Sequence, residues 1–157
     1  DTVGTWYAED VEILTGCGVL TGNHGSFNGE DPCTRANFVV MLARALELDV
    51  GGASAPPYTD IQETAWYYDS LVAAWRAGIL EESGTFRANA PITMEEAERM
   101  MTAAAKYTYV NGGADWVESV IEDAKSRAGA EEIDENSLSR GFTAALISPM
   151  TITVDEE

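Results

Sequence analysis

The sequence predicts an all-α protein built from helix-turn-helix repeats, and three observations support this prediction. Two segments of the chain match each other sixty residues apart, beginning at Trp6 and Trp66. Each segment contains two stretches in which apolar residues recur at helical spacing. A shorter segment near the C-terminus shows the same spacing. Since 45% of the 157 residues are hydrophobic, the chain is able to bury a core of ordinary size.

The first helix of each clear repeat opens with Trp-Tyr and closes with Gly, a β-branched residue and Leu. The two copies span residues 6–20 and 66–80. Gly18 and Gly78 occupy the same place in both copies, and glycine suits the left-handed residue that commonly ends a helix. We therefore expect these two glycines to terminate the first helices.

A glycine-containing turn leads from each first helix to a second one. The turns contain Phe27 and Phe86. We expect both side chains to pack against the core and so to hold the turns in place. Thr34 and Thr93 then stand at N-cap positions, and Thr93 forms a full capping box with Glu96. The second helices are predicted from apolar stripes at Phe38, Met41, Leu42, Ala45 and Leu46, and at Ala97, Met100, Met101 and Ala104.

A third repeat is degenerate. Its first helix is predicted to begin at Trp116 and to end before Gly129, with a stripe at Val117, Val120, Ile121, Ala124 and Ala128. The connection over residues 130–136 is short and lacks the Gly-Ser/Thr-Phe turn. Residues 138–142 then echo 33–38 with one residue missing, which indicates a second helix.

Composition marks the boundaries between the repeats. The turn-rich segments 49–57 and 111–114 are not expected to hold a helix, and Pro149 is expected to stop the last one. The predicted units are repeat 1 over residues 1–50, repeat 2 over 57–108, degenerate repeat 3 over 114–148, and an extended acidic tail over 149–157. Because one helix pair cannot bury its stripe alone, we expect the three pairs to pack around a pseudo-threefold axis. The first helices would lie at the centre and the second helices outside, with grooves between repeats.

The charge excludes several classes of partner. The chain has 27 acidic and 9 basic residues, a formal net charge of −18. Such a field repels phosphate backbones and anionic lipids, so we expect neither nucleic-acid binding nor membrane-surface binding. No apolar run reaches the roughly 18 residues of a membrane-spanning helix. Asp1 follows no signal-like segment, and we expect the chain to be part of a longer protein with further domains.

Catalytic, cofactor and metal motifs are missing from the sequence. His24, the only histidine, lies in a turn and is interpreted as a solvated loop residue. No Ser/His/Asp elbow, His-Glu-x-x-His or phosphate-binding Gly-Lys motif occurs, and residues 23–31 lack the alternating carboxylates of a calcium loop. Cys17 and Cys33 are too few for a four-cysteine metal site. They form either a single disulfide or two buried free thiols.

These motifs resemble the S-layer homology family. Its repeats run Asp-Val, Trp at the start of helix one, Gly-Ile/Val-Leu at its end, a Gly-Thr-Phe turn, and Pro-Ile-Thr-Arg-Ala-Glu at the start of helix two. Residues 84–93 match the turn nearly residue for residue, and Asp60 matches the opening. The resemblance covers residues 1–106 well and 115–147 poorly. It implies an extracellular module that anchors a bacterial surface protein non-covalently to secondary cell-wall polysaccharide.

The arginine at the start of helix two is not explained by helix physics, because the dipole there prefers an anion. The resemblance implies that this arginine lines a groove between repeats and binds the carboxylate of a pyruvylated sugar. Arg35 and Arg140 inherit this role, for which a planar guanidinium is suited. Repeat 2 has Met94 instead. The remaining groove candidates are Asp60, Trp6, Trp66 and Trp116; the tryptophans either stack on sugar rings or anchor helix starts in the core.

Two functions therefore stay open at the level of the sequence. The first is a polysaccharide-binding anchor that uses Arg35 and the tryptophan-lined grooves. The second is a module of the same fold that has lost sugar binding and serves a structural or protein–protein role. Met94 and the shortened third repeat favour the second function.

Overall fold

The computed structural model describes residues 2–20, 27–49, 58–80, 84–107 and 113–155, with the backbone alone over 152–155. The regular elements in these segments are six α-helices and one short 3-10 helix at Ala130–Glu132. The α-helices are α1 (Ala8–Gly16), α2 (Arg35–Ala45), α3 (Tyr68–Arg76), α4 (Met94–Tyr107), α5 (Gly113–Ala128) and α6 (Arg140–Asp155). The predicted all-α class is confirmed. None of the described helices is both long and apolar enough to cross a membrane.

The second helices begin at the predicted caps. Thr34 Oγ1 accepts the backbone N–H of Asn37 at 3.1 Å. Thr93 and Glu96 form the reciprocal capping box, with distances of 3.1 Å for the N–H of Glu96 and 3.0 Å for the N–H of Thr93. Ser139 accepts a backbone N–H in the same way at the start of α6. The third repeat therefore keeps the local signal that starts a second helix.

The first helices end at glycines, as predicted. Gly18 and Gly78 both have a φ of 81°, and Gly129 after α5 has a φ of 88°. This left-handed backbone is open to glycine without the steric cost that a Cβ atom brings. The three first helices thus share one way of ending, although their lengths differ.

Burial is concentrated in the second helices. Nine of the 11 residues of α2 are buried, against three of the nine residues of α1. Helix α2 packs against α3 and α6, while α6 packs against α1, α2 and α5. A helix with neighbours on several sides needs a wide apolar surface. The expectation that the first helices form the centre and the second helices lie outside is therefore wrong.

A ring of backbone hydrogen bonds joins the three repeats just before their second helices. The N–H of Cys33 donates to the carbonyl of Leu138, that of Leu138 to Ile92, and that of Ile92 back to Cys33, at 2.9, 3.0 and 2.9 Å. All three side chains are buried. The ring brings equivalent residues of the three repeats together, so repeat 3 is joined to the other two by the same kind of backbone contact.

Two predicted boundaries near the C-terminus are wrong. Helix α5 begins at Gly113, so residues 113–114 belong to the helix and Trp116 is its fourth residue. Helix α6 continues through Pro149 to Asp155, where an extended tail was expected. Proline removes one helical N–H and strains the turn before it. Continued burial outweighs that cost, because Met150 and Thr151 on the far side of the proline are both buried.

The two cysteines are both free thiols in the structure. Cys17 is exposed at the end of α1, whereas Cys33 is buried in the ring between the repeats. This differs from the predicted disulfide and also from the alternative of two buried thiols. Burial raises the pKa of Cys33 to about 11, against the lowering effects of the Thr143 hydroxyl and the Arg140 charge. Cys33 thus behaves as a small apolar residue of the core.

Candidate functional site

The second helix of each repeat starts against the turn of the next repeat. We call these contacts the first junction, from repeat 1 to repeat 2, the middle junction, from repeat 2 to repeat 3, and the closing junction, from repeat 3 back to repeat 1. In each, the first helical residue donates its backbone N–H to a carbonyl of the neighbouring turn. The pairs are Arg35 to Ala90 (2.9 Å), Met94 to Glu135 (2.8 Å) and Arg140 to Asp31 (2.8 Å).

At the first junction, the Arg35 side chain is buried and only 1% exposed. Its Nε donates to the carbonyl of Phe86 at 2.8 Å, and its guanidinium carbon lies 5.2 Å from the centre of the Phe86 ring. Its Nη1 is paired with the carboxylate of Glu96. The carboxylate partner of Arg35 in the structure is thus an internal one, Glu96. The prediction that Arg35 lines an open groove needs correction.

Glu96 is held in its ionised form. Burial on its own raises the pKa of this carboxyl, but the Thr93 N–H and the charges of Arg35 and Arg87 together bring the pKa below its usual value. The Arg87 contact measures 2.9 Å and lies at the surface, since 54% of the Arg87 side chain is exposed. The capping glutamate of repeat 2 therefore serves two purposes: it closes the start of α4 and neutralises the buried Arg35.

Asp60 holds the turn of repeat 2. Its two carboxylate oxygens accept the backbone N–H groups of Phe86 at 2.8 Å and Arg87 at 2.9 Å. Slight burial opposes ionisation, yet these hydrogen bonds lower the pKa of Asp60 below its usual value. The structure thus places this predicted groove residue beside the first junction, where its carboxylate fixes the backbone that Arg35 contacts.

At the closing junction Arg140 makes the same carbonyl and ring contacts as Arg35 makes at the first junction, but without an internal carboxylate among the described residues. Nε of Arg140 donates to the carbonyl of Phe27 at 3.0 Å, and the guanidinium carbon lies 5.0 Å from the Phe27 ring centre. Repeat 1 has Asn37 at the position of Glu96 in repeat 2, with the same backbone bond to the capping threonine. Within the described segments, the terminal nitrogens of Arg140 meet no carboxylate. Arg140 is half-buried, so this cation borders solvent.

The middle junction has neither the arginine nor the phenylalanine of the other two junctions. Met94 is buried where the other junctions have arginine. The facing segment of repeat 3, residues 130–137, contains no phenylalanine to receive a guanidinium. Both halves of the contact are thus missing from the same junction, and apolar packing by Met94 replaces them.

A cavity of about 220 Å³ lies at the closing junction, between repeats 1 and 3. It is lined by Trp6, Tyr7, Glu30, Ala128, Glu132, Ile133, Asp134, Ser137, Leu138, Ser139 and Phe142. Ser139 and Phe142 flank Arg140 along the chain. The cavity therefore combines aromatic rings with carboxylates, and its lining includes the residue that directly precedes Arg140. We call it the closing groove.

Tyr7 lines the closing groove and is itself buried. Its ring passes so close to Gly29 and Gly141 that an added Cβ atom would approach it to 2.1 Å at Gly29 and 2.6 Å at Gly141. The equivalent positions at the first junction are Ala88 and Ala36, which form the same backbone hydrogen bond. Small residues at both glycine positions thus allow an aromatic ring to enter the closing junction.

The three predicted tryptophans have different surroundings. Trp6 lines the closing groove and meets the rings of Tyr7 and Phe142 edge-on, at 5.5 and 6.2 Å. Trp66 is 65% exposed. Trp116 lies within α5, half-buried and packed against the core. Trp6 is therefore the predicted site residue that lines the closing groove, while Arg140 lies at the same junction over the Phe27 ring. The predicted loop residue His24 lies outside the described segments.

Sequence reasoning missed the residues that hold Trp6. Arg127 in the last turn of α5 lies over the Trp6 ring, with 5.4 Å between the guanidinium carbon and the ring centre. It is paired with Asp10 at 2.7 Å. Asp10 follows Tyr7 by three residues and precedes Leu14 by four, so it lies on the apolar face of α1. An acid at such a position signals a buried partner, and this signal was available in the sequence.

Comparison with known proteins identifies the family. The model of the S-layer homology domain matches residues 1–39 and 57–98, which together make up more than half of the chain. The chain belongs to the S-layer homology family. The third repeat lies outside the two matched segments, although the hydrogen-bond ring joins it to the two matched S-layer homology repeats. The family model alone therefore shows only part of this assembly.

Several relatives in the family are surface proteins or enzymes. An endoglucanase of Bacillus sp. (strain KSM-635) is 36% identical over 98 residues, which cover 61% of this chain and 10% of the endoglucanase. The surface-layer 125 kDa protein of Lysinibacillus sphaericus is 32% identical over 99 residues, covering 61% and 8%. An S-layer protein of Bacillus thuringiensis subsp. finitimus is 30% identical over 110 residues, covering 68% and 13%.

The chain thus spans between 8% and 13% of the length of these relatives. An S-layer homology domain is a surface-anchoring module, and the similarity to the endoglucanase is confined to that small share of its length. The family and its S-layer members place this chain in a cell-surface protein.

Proposed function

We propose that this chain anchors a bacterial surface protein to secondary cell-wall polysaccharide, and that the closing junction binds a carboxylate of that glycan. The observation that carries the proposal is the difference between two arginines. Arg35 is neutralised by Glu96, whereas Arg140 meets no carboxylate in the described segments. A guanidinium presents paired N–H donors that match a carboxylate. A pyruvyl ketal on a wall sugar supplies such a group, and Arg140 rather than Arg35 is its partner.

The closing groove offers a place for the sugar ring beside that carboxylate. Trp6 supplies apolar surface, and pyranose rings pack against aromatic faces through their C–H groups. Glu30, Glu132 and Asp134 supply carboxylate oxygens that accept hydrogen bonds from sugar hydroxyls. This combination suits a polyhydroxylated ligand with one acidic substituent held outside the groove.

The strong negative charge of the chain makes the position of Arg140 important. A net charge of −18 opposes the approach of an acidic glycan. The cation at the closing junction lies against an aromatic face and is partly removed from water, which strengthens its local attraction. We therefore propose that this chain has one anion-binding junction instead of three. We also propose that the module lies outside the cell and is joined to further domains of the same surface protein.

Sedimentation with purified cell walls tests the proposal. Walls bearing pyruvylated polysaccharide are compared with the same walls after mild acid has removed the ketals. We expect the chain to sediment with the first and to remain in solution with the second. Arg140→Ala should abolish sedimentation, whereas Arg87→Ala, which removes an exposed arginine from the first junction, should leave it unchanged. Equal sedimentation of the two variants would contradict the role of Arg140.

A second function is favoured by the other two junctions. Arg35 is paired with Glu96, and Met94 stands where the other two repeats have arginine. At the first and middle junctions the fold is therefore kept without an arginine that could bind an external anion. A structural or protein–protein module follows if the wild-type chain fails to sediment with pyruvylated walls. Stable self-association in static light scattering would then support that second function.

A further inference from the structure

The side chain of Arg127 joins repeat 3 to the tryptophan of repeat 1. Its Nη2 donates to the backbone carbonyl of Trp6 at 3.2 Å, and its guanidinium carbon lies 5.4 Å from the centre of the indole ring. One cation thus contacts both the backbone and the ring of the same residue. These two contacts fix the position of Trp6 at the start of α1 and the orientation of its ring.

Arg127 is itself held in place by a buried carboxylate. Asp10 is 6% exposed, and its Oδ2 accepts Nη2 of Arg127 at 2.7 Å. Its Oδ1 accepts the hydroxyl of Ser148, from α6, at 2.6 Å. Burial by itself lowers the pKa of Arg127, but the hydrogen bond and charge of Asp10 raise it overall. The network links α1, α5 and α6, and its charged members are partnered as burial requires.

Repeat 2 provides an internal comparison. Trp66 precedes α3 by two residues, as Trp6 precedes α1. Ser70 stands where repeat 1 has Asp10, sixty residues earlier, and Gly16 in α1 stands where α5 has Arg127, two residues before the closing glycine. Both members of the ion pair are thus absent around Trp66, and this tryptophan is 65% exposed. Both tryptophans meet the following tyrosine edge-on, at 5.5 and 5.6 Å, so this local arrangement belongs to the repeat motif. What the ion pair adds at Trp6 is a contact that holds the indole against repeat 3.

We infer that Arg127, anchored by Asp10, is a positioning residue that holds Trp6 as a sugar-stacking surface in the closing groove. The inference rests on the proposed glycan-binding function. It assigns repeat 3 two contributions to the site, the anion-binding Arg140 and the residue that orients the aromatic platform. The repeat least similar to the family would then complete the binding site of repeat 1.

Affinity for wall polysaccharide measures the functional part of this inference. Pyruvylated polysaccharide released from cell walls is titrated into the chain by calorimetry. We expect Arg127→Ala to weaken binding about tenfold, in line with a lost cation–π contact and a less ordered platform. Arg127→Lys should recover part of that loss. Lys125→Ala is the matched control, because Lys125 lies in the same helical turn and pairs with Glu122 at 4.0 Å instead of contacting Trp6. Equal affinities for Arg127→Ala and Lys125→Ala would overturn the inference.

The position of the indole is followed separately by ¹⁹F NMR with 5-fluorotryptophan, in which Trp6→Phe identifies the Trp6 signal. We expect Arg127→Ala to shift the Trp6 signal towards that of exposed Trp66 and to leave the other signals in place. A double variant, Asp10→Ser with Arg127→Ala, removes both charges and avoids an unpaired buried carboxylate if the single variant fails to fold. An unchanged Trp6 signal overturns the inference whether or not the wild-type chain binds glycan. Absence of wild-type binding alone would refute only the proposed function.

Discussion

At the first junction Arg35 lies over Phe86 and is paired with Glu96, whereas at the closing junction Arg140 lies over Phe27 and meets no carboxylate in the described segments. The hydrogen bonds from the two Nε atoms are nearly equal, at 2.8 and 3.0 Å. The arginines therefore occupy equivalent positions and differ in what the next repeat presents to them. The comparison teaches that the role of this arginine is set by the neighbouring repeat rather than by its own motif.

Breaking the pair at the first junction should have the largest effect. Arg35→Ala leaves the carboxylate of Glu96 largely buried without its main cation, and removal of one partner from a buried pair costs about 3–5 kcal/mol of unfolding free energy. Arg140→Ala removes one hydrogen bond and one ring contact, which should cost about 1–2 kcal/mol. Urea denaturation of both variants measures the difference.

Arg87→Ala is the matched control for the first junction. It removes the exposed partner of the same carboxylate, and exposed ion pairs contribute about 1 kcal/mol or less. If Arg35→Ala were no more destabilising than Arg87→Ala, the buried pair would not be what distinguishes the first junction.

The close approach of Tyr7 separates the two junctions sterically. Gly141→Ala should destabilise the chain by about 1–3 kcal/mol, because the new Cβ atom would overlap the Tyr7 ring. Alanine otherwise favours a helix at this position. Thermal unfolding checks the sign, with Ala36→Gly at the equivalent position of the first junction as control. A stabilised Gly141→Ala variant would show that the ring is free to move away.

The sequence predicted the parts of this architecture that depend on local chemistry. The capping threonines, the glycine helix ends and the apolar stripes of the second helices all follow from residues within one turn of each other. The continuation of α6 past Pro149 escaped prediction because tertiary burial beyond the proline outweighs a local break signal. Local propensity is a weak guide where packing supplies more free energy.

The site was less accessible to sequence reasoning, for a related reason. Arg35 and Arg140 carry the same local motif, and their difference lies in Glu96 and Asn37, which belong to the next repeat in the cycle. That cyclic order is visible only in the folded chain, where the hydrogen-bond ring establishes it. A comparison of capping positions between repeats would have shown the exchange of glutamate for asparagine, but not which arginine it faces.

The charge on Glu96 makes the first junction dependent on pH. The pKa of Glu96 is below its usual value of 4.5 in the folded chain, so its stabilising effect is complete above that pH and is lost as the pH falls through the lower folded value. Glu96→Gln should therefore cost about 1–2 kcal/mol at pH 7 and progressively less below pH 4.5. Denaturation across this range checks it, with Glu95→Gln on the exposed face as control. A pH-independent cost would show that charge is not what Glu96 contributes.

A carboxylate introduced at the closing junction should pair with Arg140 as Glu96 pairs with Arg35 at the first junction. Asn37→Glu completes the capping box with Thr34 and places an anion where Arg140 is to bind the glycan. We expect affinity for pyruvylated polysaccharide to fall about tenfold or more, equivalent to about 1.4 kcal/mol, while stability is kept or slightly raised. Asn37→Gln is the control of equal length without charge. Glycan binding that survives in Asn37→Glu would show that Arg140 is not the anion site.

The smallest expected effect is a difference in reactivity between the two thiols. It measures how tightly the backbone hydrogen-bond ring between the repeats is closed. Cys33 is one of the three residues of that ring and has a pKa of about 11, raised chiefly by burial, whereas Cys17 is exposed. Because thiolates are the reactive species, iodoacetamide at pH 8 should label Cys17 in the native chain and both residues in urea. Mass spectrometry counts the labels. Rapid labelling of Cys33 in the native chain would require the three repeats to separate at the ring. The closing junction lies next to the hydrogen bond from Cys33 to Leu138, so Arg140 would then also be free to leave Phe27. Slow labelling of Cys33 beside fast labelling of Cys17 would show that repeat 3 stays closed onto repeat 1 without ligand, as a preformed binding junction requires.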